Sequence, residues 1–163
     1  MTMIIDGSNG VTFPNSTVQA SAGSVLQVVN ATYSTFVTSS NNTLVDLGLS
    51  ATITPKFATS KILVIVDING TGKVSTNTAL RVVLVRNSTA ILKIDDDIAE
   101  TDSTTNSFVG SSSANYLDSP ATTSATTYKI QYCSSANTGA VYINNYWAAG
   151  GTNSTMTLME IAQ

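Results

Sequence analysis

From Ser24 onward the chain is a succession of short runs in which apolar and polar residues alternate, separated by clusters of Ser, Thr, Asn and Gly. Alternation with period two, carried by Val, Ile, Thr and Tyr, is the mark of β-strands, whose successive side chains point to opposite faces. No segment has convincing helical periodicity. The first run, VLQVVNATYSTFVTS, places Val25, Gln27, Val29, Ala31, Tyr33, Thr35 and Val37 on one face and Leu26, Val28, Asn30, Thr32, Ser34 and Phe36 on the other, a strand partly buried on both sides. After a turn at Asn41 and Asn42 comes TLVDLGLSATITP, in which Gly48 marks a bulge and Pro55 ends the strand.

The run KILVIVDING is the most apolar of the chain. Ile62, Val64, Val66 and Ile68 share one face and Leu63 and Ile65 occupy the other, which predicts a strand central to its sheet. ALRVVLVRN is doubly apolar in the same way, and AILKIDDD follows it across an Asn87-Ser88 turn, a predicted hairpin. Residues 95–113, acidic and then rich in Ser and Thr, are expected to form a long exposed loop. TTYKIQYCS and AVYINNYW are expected to pair as a hairpin across SSANTG, and STMTLMEIA closes the chain.

About eight strands without a helix predict an all-β fold, an antiparallel two-sheet sandwich of jelly-roll type, spanning residues 24–163. An immunoglobulin-like sandwich is the alternative, weakened by the missing cysteine pair. Residues 1–23 scatter their apolar side chains between Gly7, Gly10, Pro14 and Gly23, too thinly to close a core. They are read as an extended N-terminal attachment arm.

Composition narrows the chemistry. The 163 residues include 25 Thr, 21 Ser and 14 Asn, while only 10% are charged, so the polar surface is built from neutral hydrogen-bonding groups. The net charge of −3 and the lack of any basic run leave little counterion release to drive nucleic-acid binding. There is no histidine and a single cysteine, Cys133, which removes the commonest general base, the commonest metal ligand and any intrachain disulfide. No GxSxG or SxxK motif is present, and no enzymatic activity is expected. The longest apolar run, Ile62 to Val66, is far below the roughly 20 residues of a membrane helix. The opening MTMIIDGSNG lacks the basic region and apolar stretch of a signal peptide. The expectation is a soluble chain, not classically secreted and not inserted in a membrane. A Ser/Thr/Asn surface on such a chain suits virion proteins, which are assembled inside the cell and then exposed outside it.

Two clusters are candidate sites. The run 93–102 gathers Asp95, Asp96, Asp97, Glu100 and Asp102, a density of hard oxygen ligands that would suit calcium, although the spacing is not that of an EF-hand. The alternative is a solvated acidic loop, with no cofactor at all. Tyr146 and Trp147 stand beside Asn144 and Asn145, with Tyr142 nearby, an arrangement that can stack on a sugar ring while the amides bond its hydroxyls. Aromatics at alternating strand positions also fill cores and subunit interfaces, and Tyr116 is open to both readings. Cys133 is read as a small apolar filler.

The arm IIDGSNGVTFPNSTVQASAG, the run VLQVVNATYSTFVTSS, the passage from GLSATITP to SKILVIVDINGTG, and the tail from YLDSPATTSATTYKIQYCSS to STMTLMEIA resemble the terminal (head) domain of bacteriophage tail fibre proteins of marine and cyanobacterial phages. The likeness covers nearly the whole chain. It implies a trimeric jelly-roll head on a virion appendage, with host-surface glycan or protein as the receptor. Such proteins carry long shafts before this domain, whereas about 23 residues precede it here, reaching at most roughly 80 Å. The expectation is therefore a short fibre on the virion surface, plugged into another virion protein by its arm through Ile4, Ile5, Val11 and Phe13. The alternatives are a capsid-decorating knob of the same fold and a free lectin-like trimer. A homotrimer would also give Leu63, Ile65, Val83 and Val85 a second burial partner, since one sandwich offers each sheet a single inner face.

Overall fold

The computed structural model describes residues 4–6, 10–12, 18–19, 24–102, 107–145 and 151–163, and all regular elements among them are β-strands. Within the arm, β1 (Ile4–Asp6), β2 (Gly10–Thr12) and β3 (Val18–Gln19) pair antiparallel with one another. At its described positions the arm thus consists of short extended strands paired antiparallel.

The rest forms two antiparallel sheets. Their strands are β4 (Val25–Tyr33), β5 (Val37–Ser39), β6 (Val45–Ile53), β7 (Lys61–Lys73), β8 (Leu80–Arg86), β9 (Thr89–Ile98), β10 (Ser107–Asp118), β11 (Thr126–Ser134), β12 (Val141–Ile143) and β13 (Ser154–Ile161). In the first sheet β7 is central, as its doubly apolar pattern predicts. β10 runs along one side of it, and β13 and β12 follow each other along the other side, flanked in turn by β4 and β5. The second sheet has the order β6-β11-β8-β9.

The alternation of the sequence decides what lies between the sheets. Ile62, Val64, Val66 and Ile68 of β7 and Met156 and Leu158 of β13 meet Leu47, Leu49 and Ile53 of β6, Leu80, Val82 and Leu84 of β8, and Tyr128 and Ile130 of β11, all buried. Burying each large apolar side chain contributes about 1.5–3 kcal/mol. A half-buried ion pair spans the layers at one end: Arg86 Nη1 lies 2.8 Å from both oxygens of the buried Asp118, and Tyr128 Oη donates to Asp118 Oδ2 at 2.7 Å. Burial, and then this bond to a carboxylate, hold the Tyr128 phenol far above its ordinary pKa.

Gly48 is the bulge its sequence suggests. Three residues of β6 stand between the pairs Lys129–Ser50 and Gln131–Asp46, where β11 has only Ile130. The glycine adopts φ +101°, and a Cβ there would fall 2.5 Å from the Tyr33 ring. Asn87 turns the β8–β9 hairpin with φ +54°.

Two expectations fail. The exposed loop of 95–113 is mostly strand: β9 continues through the acids to Ile98, and β10 begins at Ser107 and pairs with the whole length of β7. Its inward side chains from Ser112 to Asp118 include serine and alanine, and Gly110 interrupts the ladder, so no apolar alternation announces the strand. SSANTG does not close a hairpin either, because β11 belongs to the second sheet and β12 to the first.

Candidate functional site

Strand directions give the sandwich two unlike ends. Ser24 and Ala162 meet at one end, where the Ala162 N–H donates to the Ser24 carbonyl at 3.0 Å. That end also carries the connections 54–60, 87–88 and 119–125. The opposite end gathers the connections 40–44, 74–79, 99–106 and 135–140, of which residues 103–106 are outside the described set.

These distal loops are tied to one another. Val74 N donates to Ala140 O at 3.0 Å, Asn77 N to Thr101 O at 3.0 Å, Ser135 N to Ala79 O at 2.8 Å and Ser134 N to Asn41 O at 2.9 Å. Side chains add to the lacing: Ala79 N donates to Ser135 Oγ at 2.8 Å, Asn42 N to Asn137 Oδ1 at 2.8 Å, and the buried Lys73 Nζ to Thr101 O at 2.8 Å. Gly139 is required for this closeness, since a Cβ there would lie 2.4 Å from Thr78 Oγ1. The lacing leaves Asn41, Asn42, Thr43, Asn77, Asn137 and Thr138 exposed, amides and hydroxyls on a braced base, with Leu44, Val74, Glu100 and Asp102 exposed in the same connections. The amides and hydroxyls both donate and accept, which suits sugar hydroxyls or a polypeptide backbone.

The sequence-derived receptor set does not come together among the described residues. Asn144 is buried, with φ +57°, and its side chain is fully engaged. Its Nδ2 donates to Tyr33 O at 3.0 Å and Thr35 O at 3.2 Å, and its Oδ1 accepts from the buried Ser154 Oγ at 2.7 Å. Asn144 therefore braces the point where the chain leaves the line of β12 before rejoining it as β13. Asn145 N donates to Gly70 O at 3.1 Å, Asn69 N to Ser154 Oγ at 3.0 Å, and Asn69 Nδ2 to Asn153 O at 2.7 Å, so the excursion is pinched at both feet. Gly70, at φ +61°, lets them approach: a Cβ there would fall 2.3 Å from Thr152 Oγ1. Tyr146 and Trp147, like Phe13 of the arm, lie outside the described residues. Ile4 and Ile5 belong to β1 and Val11 to β2, in the pairs Ile4–Thr12 and Ile5–Val11. Tyr116 is elsewhere: it pairs with Val64 and packs, half-buried, on the core. Five positions of β7 separate Val64 from Asn69, about 16 Å.

Two of the acids proposed for calcium, Asp95 and Asp96, are drawn into local bonds. Asp95 Oδ1 accepts from the backbone N–H of Asp96 at 2.8 Å and of Asp97 at 3.2 Å. Asp96 lies 3.0 Å from Arg81 Nε and 2.9 Å from Lys93 Nζ, and the Lys93 bond foremost lowers its pKa. Among the described residues no three His, Cys, Asp or Glu side chains gather as a metal site.

Arg81, Lys93 and Asp96 belong to the outer face of the second sheet, where they line a shallow cavity of about 230 Å³ together with Asn42, Leu44, Val83 and Cys133. Farther along that face Lys129 Nζ and Gln131 Nε2 each donate to Asp46 at 2.8 Å, and these bonds, Lys129 first, lower its pKa. Burial raises the Cys133 thiol pKa, as an apolar filler requires.

Glu160 has no sequence signal. It is fully buried in β13 near the termini, where its carboxylate takes hydrogen bonds from Gln27 Nε2 at 2.5 Å, Lys56 N at 2.7 Å and Phe57 N at 3.4 Å. Burial raises its pKa, but these bonds, that of Gln27 foremost, leave it below its ordinary value. The sequence matches no protein-family model and no curated protein.

Proposed function

We propose that the chain is a non-enzymatic structural protein of a phage virion, a short homotrimeric fibre or knob displayed on the particle, attached by its N-terminal arm and binding a host-surface glycan or protein with its distal end. The observation that carries this reading is the polarity of the sandwich. Both ends of the 24–163 unit meet at one pole, and four connections laced to one another, whose exposed described side chains are mainly amides and hydroxyls with Leu44, Val74, Glu100 and Asp102 among them, occupy the other. A display protein needs that separation of anchor from binding surface.

The strand pairing supports a jelly roll. With β4 and β5 counted as one strand and β12 and β13 as another, the sandwich has eight. The first pairs with the last, the second with the seventh, the third with the sixth and the fourth with the fifth. That is one long hairpin rolled into two sheets. Residues 144–153 are a second candidate contact, because that stretch of sequence holds Tyr146 and the tryptophan Trp147 and is flanked by the bonded pairs Asn144–Ser154 and Asn145–Gly70.

Gold labelling of purified particles with an antibody to this chain, viewed by electron microscopy, tests the reading. Label on the tail is the expected result. Label spread over the head would make it a capsid-decorating trimer, and unlabelled particles would leave a free binding module instead.

A further inference from the structure

The first sheet carries one apolar row across its full width on its outer face. Val28 of β4 stands opposite Met159 of β13, Met159 opposite Leu63 of β7, and Leu63 opposite Leu117 of β10. Val28 is 56% exposed and Leu117 49%, with Leu63 and Met159 half-buried between them. Ile65, 38% exposed, stands in the next row. With strands about 4.8 Å apart the row is about 15 Å long. The outer face of an antiparallel sheet is ordinarily polar when water covers it, so an in-register row of this kind marks a contact surface.

Charge identifies the occupant. Between Lys61 and Asp67 of β7 the outward positions of the sheet are apolar or neutral amides and hydroxyls, such as Asn30, Thr157 and Asn115. Lys61 and Asp67 are about 20 Å apart along the strand. Neither side chain has an ion-pair or hydrogen-bond partner among the described residues. A surface with an unpaired cation on one side of an uncharged apolar centre and an unpaired anion on the other can join copies head to tail, the cation of one against the anion of the next, which is the heterologous pairing that closes a ring. We infer that the outer face of β4, β13, β7 and β10 is where copies of this chain associate, Lys61 of one copy meeting Asp67 of the next around a closed ring. This rests on the trimeric reading above and assigns its interface.

The test is solution mass by analytical ultracentrifugation at micromolar concentration, with circular dichroism to verify folding. The wild-type chain is expected to sediment as a trimer and Leu63→Glu as a folded monomer. Leu117→Ser, at the exposed sheet edge, is the second variant should Leu63→Glu not fold, and it is expected to weaken the trimer. Lys61→Asp and Asp67→Lys are each expected to weaken each of the three contacts about fivefold, and so the trimer association constant about a hundredfold, a surface ion pair being worth up to about 1 kcal/mol, and the double variant K61D/D67K to restore it. A wild-type trimer that survives Leu63→Glu and Leu117→Ser would overturn the assigned face and leave the trimeric reading intact. A wild-type monomer would overturn the trimer, and this interface with it. The particle location is read separately by gold labelling.

Discussion

The outer faces of the two sheets begin from the same sequence pattern and end in opposite states. β7 offers Leu63 and Ile65 outward and β8 offers Val83 and Val85, yet Ile65 stays 38% exposed while Val83 and Val85 are only 9% and 2% exposed. The neighbouring strands make the difference. Val83 is flanked by Gln131 and Lys93 and Val85 by Lys129, long side chains whose stems lie over the valines while their polar heads bond to acids. Leu63 and Ile65 are flanked by Met159 and Leu117 and by Thr157 and Asn115, none of which can cover an apolar neighbour and still reach water with a charge. Of the four residues to which a homotrimer would give a second burial partner, Val83 and Val85 are covered within the chain. An outward apolar residue calls for a partner only when the strands beside it supply no amphipathic cover.

The contrast depends on both sheets being held together, and the Arg86–Asp118–Tyr128 cluster, with Asp118 and Tyr128 buried and Arg86 half-buried, does that across β8, β10 and β11. Asp118→Ala leaves a half-buried guanidinium and a buried phenol without their shared acceptor, and is expected to cost about 2–3 kcal/mol in urea unfolding. A loss below about 1 kcal/mol would mean the clamp is not structural. Gly48→Ala comes next. It forces a Cβ toward the Tyr33 ring at φ +101°, and the bulge it disturbs is what sets Asp46 opposite Gln131 on the charged face. A loss of about 1–3 kcal/mol is expected, with the outer face of the second sheet loosened in hydrogen exchange.

Acid separates the faces by a smaller margin. The pKa values of Asp46 and Glu160 are lowered in the fold, so the unfolded chain takes up these protons first as pH falls. Their stabilisation is complete above the ordinary carboxylate range and is lost as pH drops through the lowered folded values. Unfolding free energy should thus decline below about pH 5, and Glu160→Gln should flatten that decline. An unchanged slope in Glu160→Gln would assign the acid sensitivity elsewhere. The smallest effect is expected from Lys129→Ala, which removes an exposed ion pair with Asp46 and part of the cover over Val85. Stability should fall by about 0.5–1 kcal/mol with no change in oligomeric mass. A change of mass would place an interface on the second face as well.

The sequence made the strand class legible because alternation survives wherever one face is buried, as in β6, β7 and β13. It hid β10, where a side strand carries serines outward and small or polar residues inward, and it hid the break between β11 and β12, since a turn motif does not say whether its strands share a sheet. The distal surface was legible only as composition: an excess of Asn, Ser and Thr does not say which of them the lacing consumes. Asn144 illustrates the limit, for the same amide that suits a sugar is turned inward by a left-handed backbone and held by Tyr33, Thr35 and Ser154. The apolar row from Val28 to Leu117 is invisible in principle to local pattern, because it joins four strands from both ends of the chain by register alone.

Lysine acylation followed by mass spectrometry reads both faces in one sample. Lys61 lies on the face assigned to self-association and Lys93 on the charged face. In the wild-type chain Lys61 should label several-fold more slowly than in the Leu63→Glu variant, while Lys93 labels equally in both. Equal labelling of Lys61 in the two proteins would contradict the account, because the apolar face would then stand open to water in the native assembly.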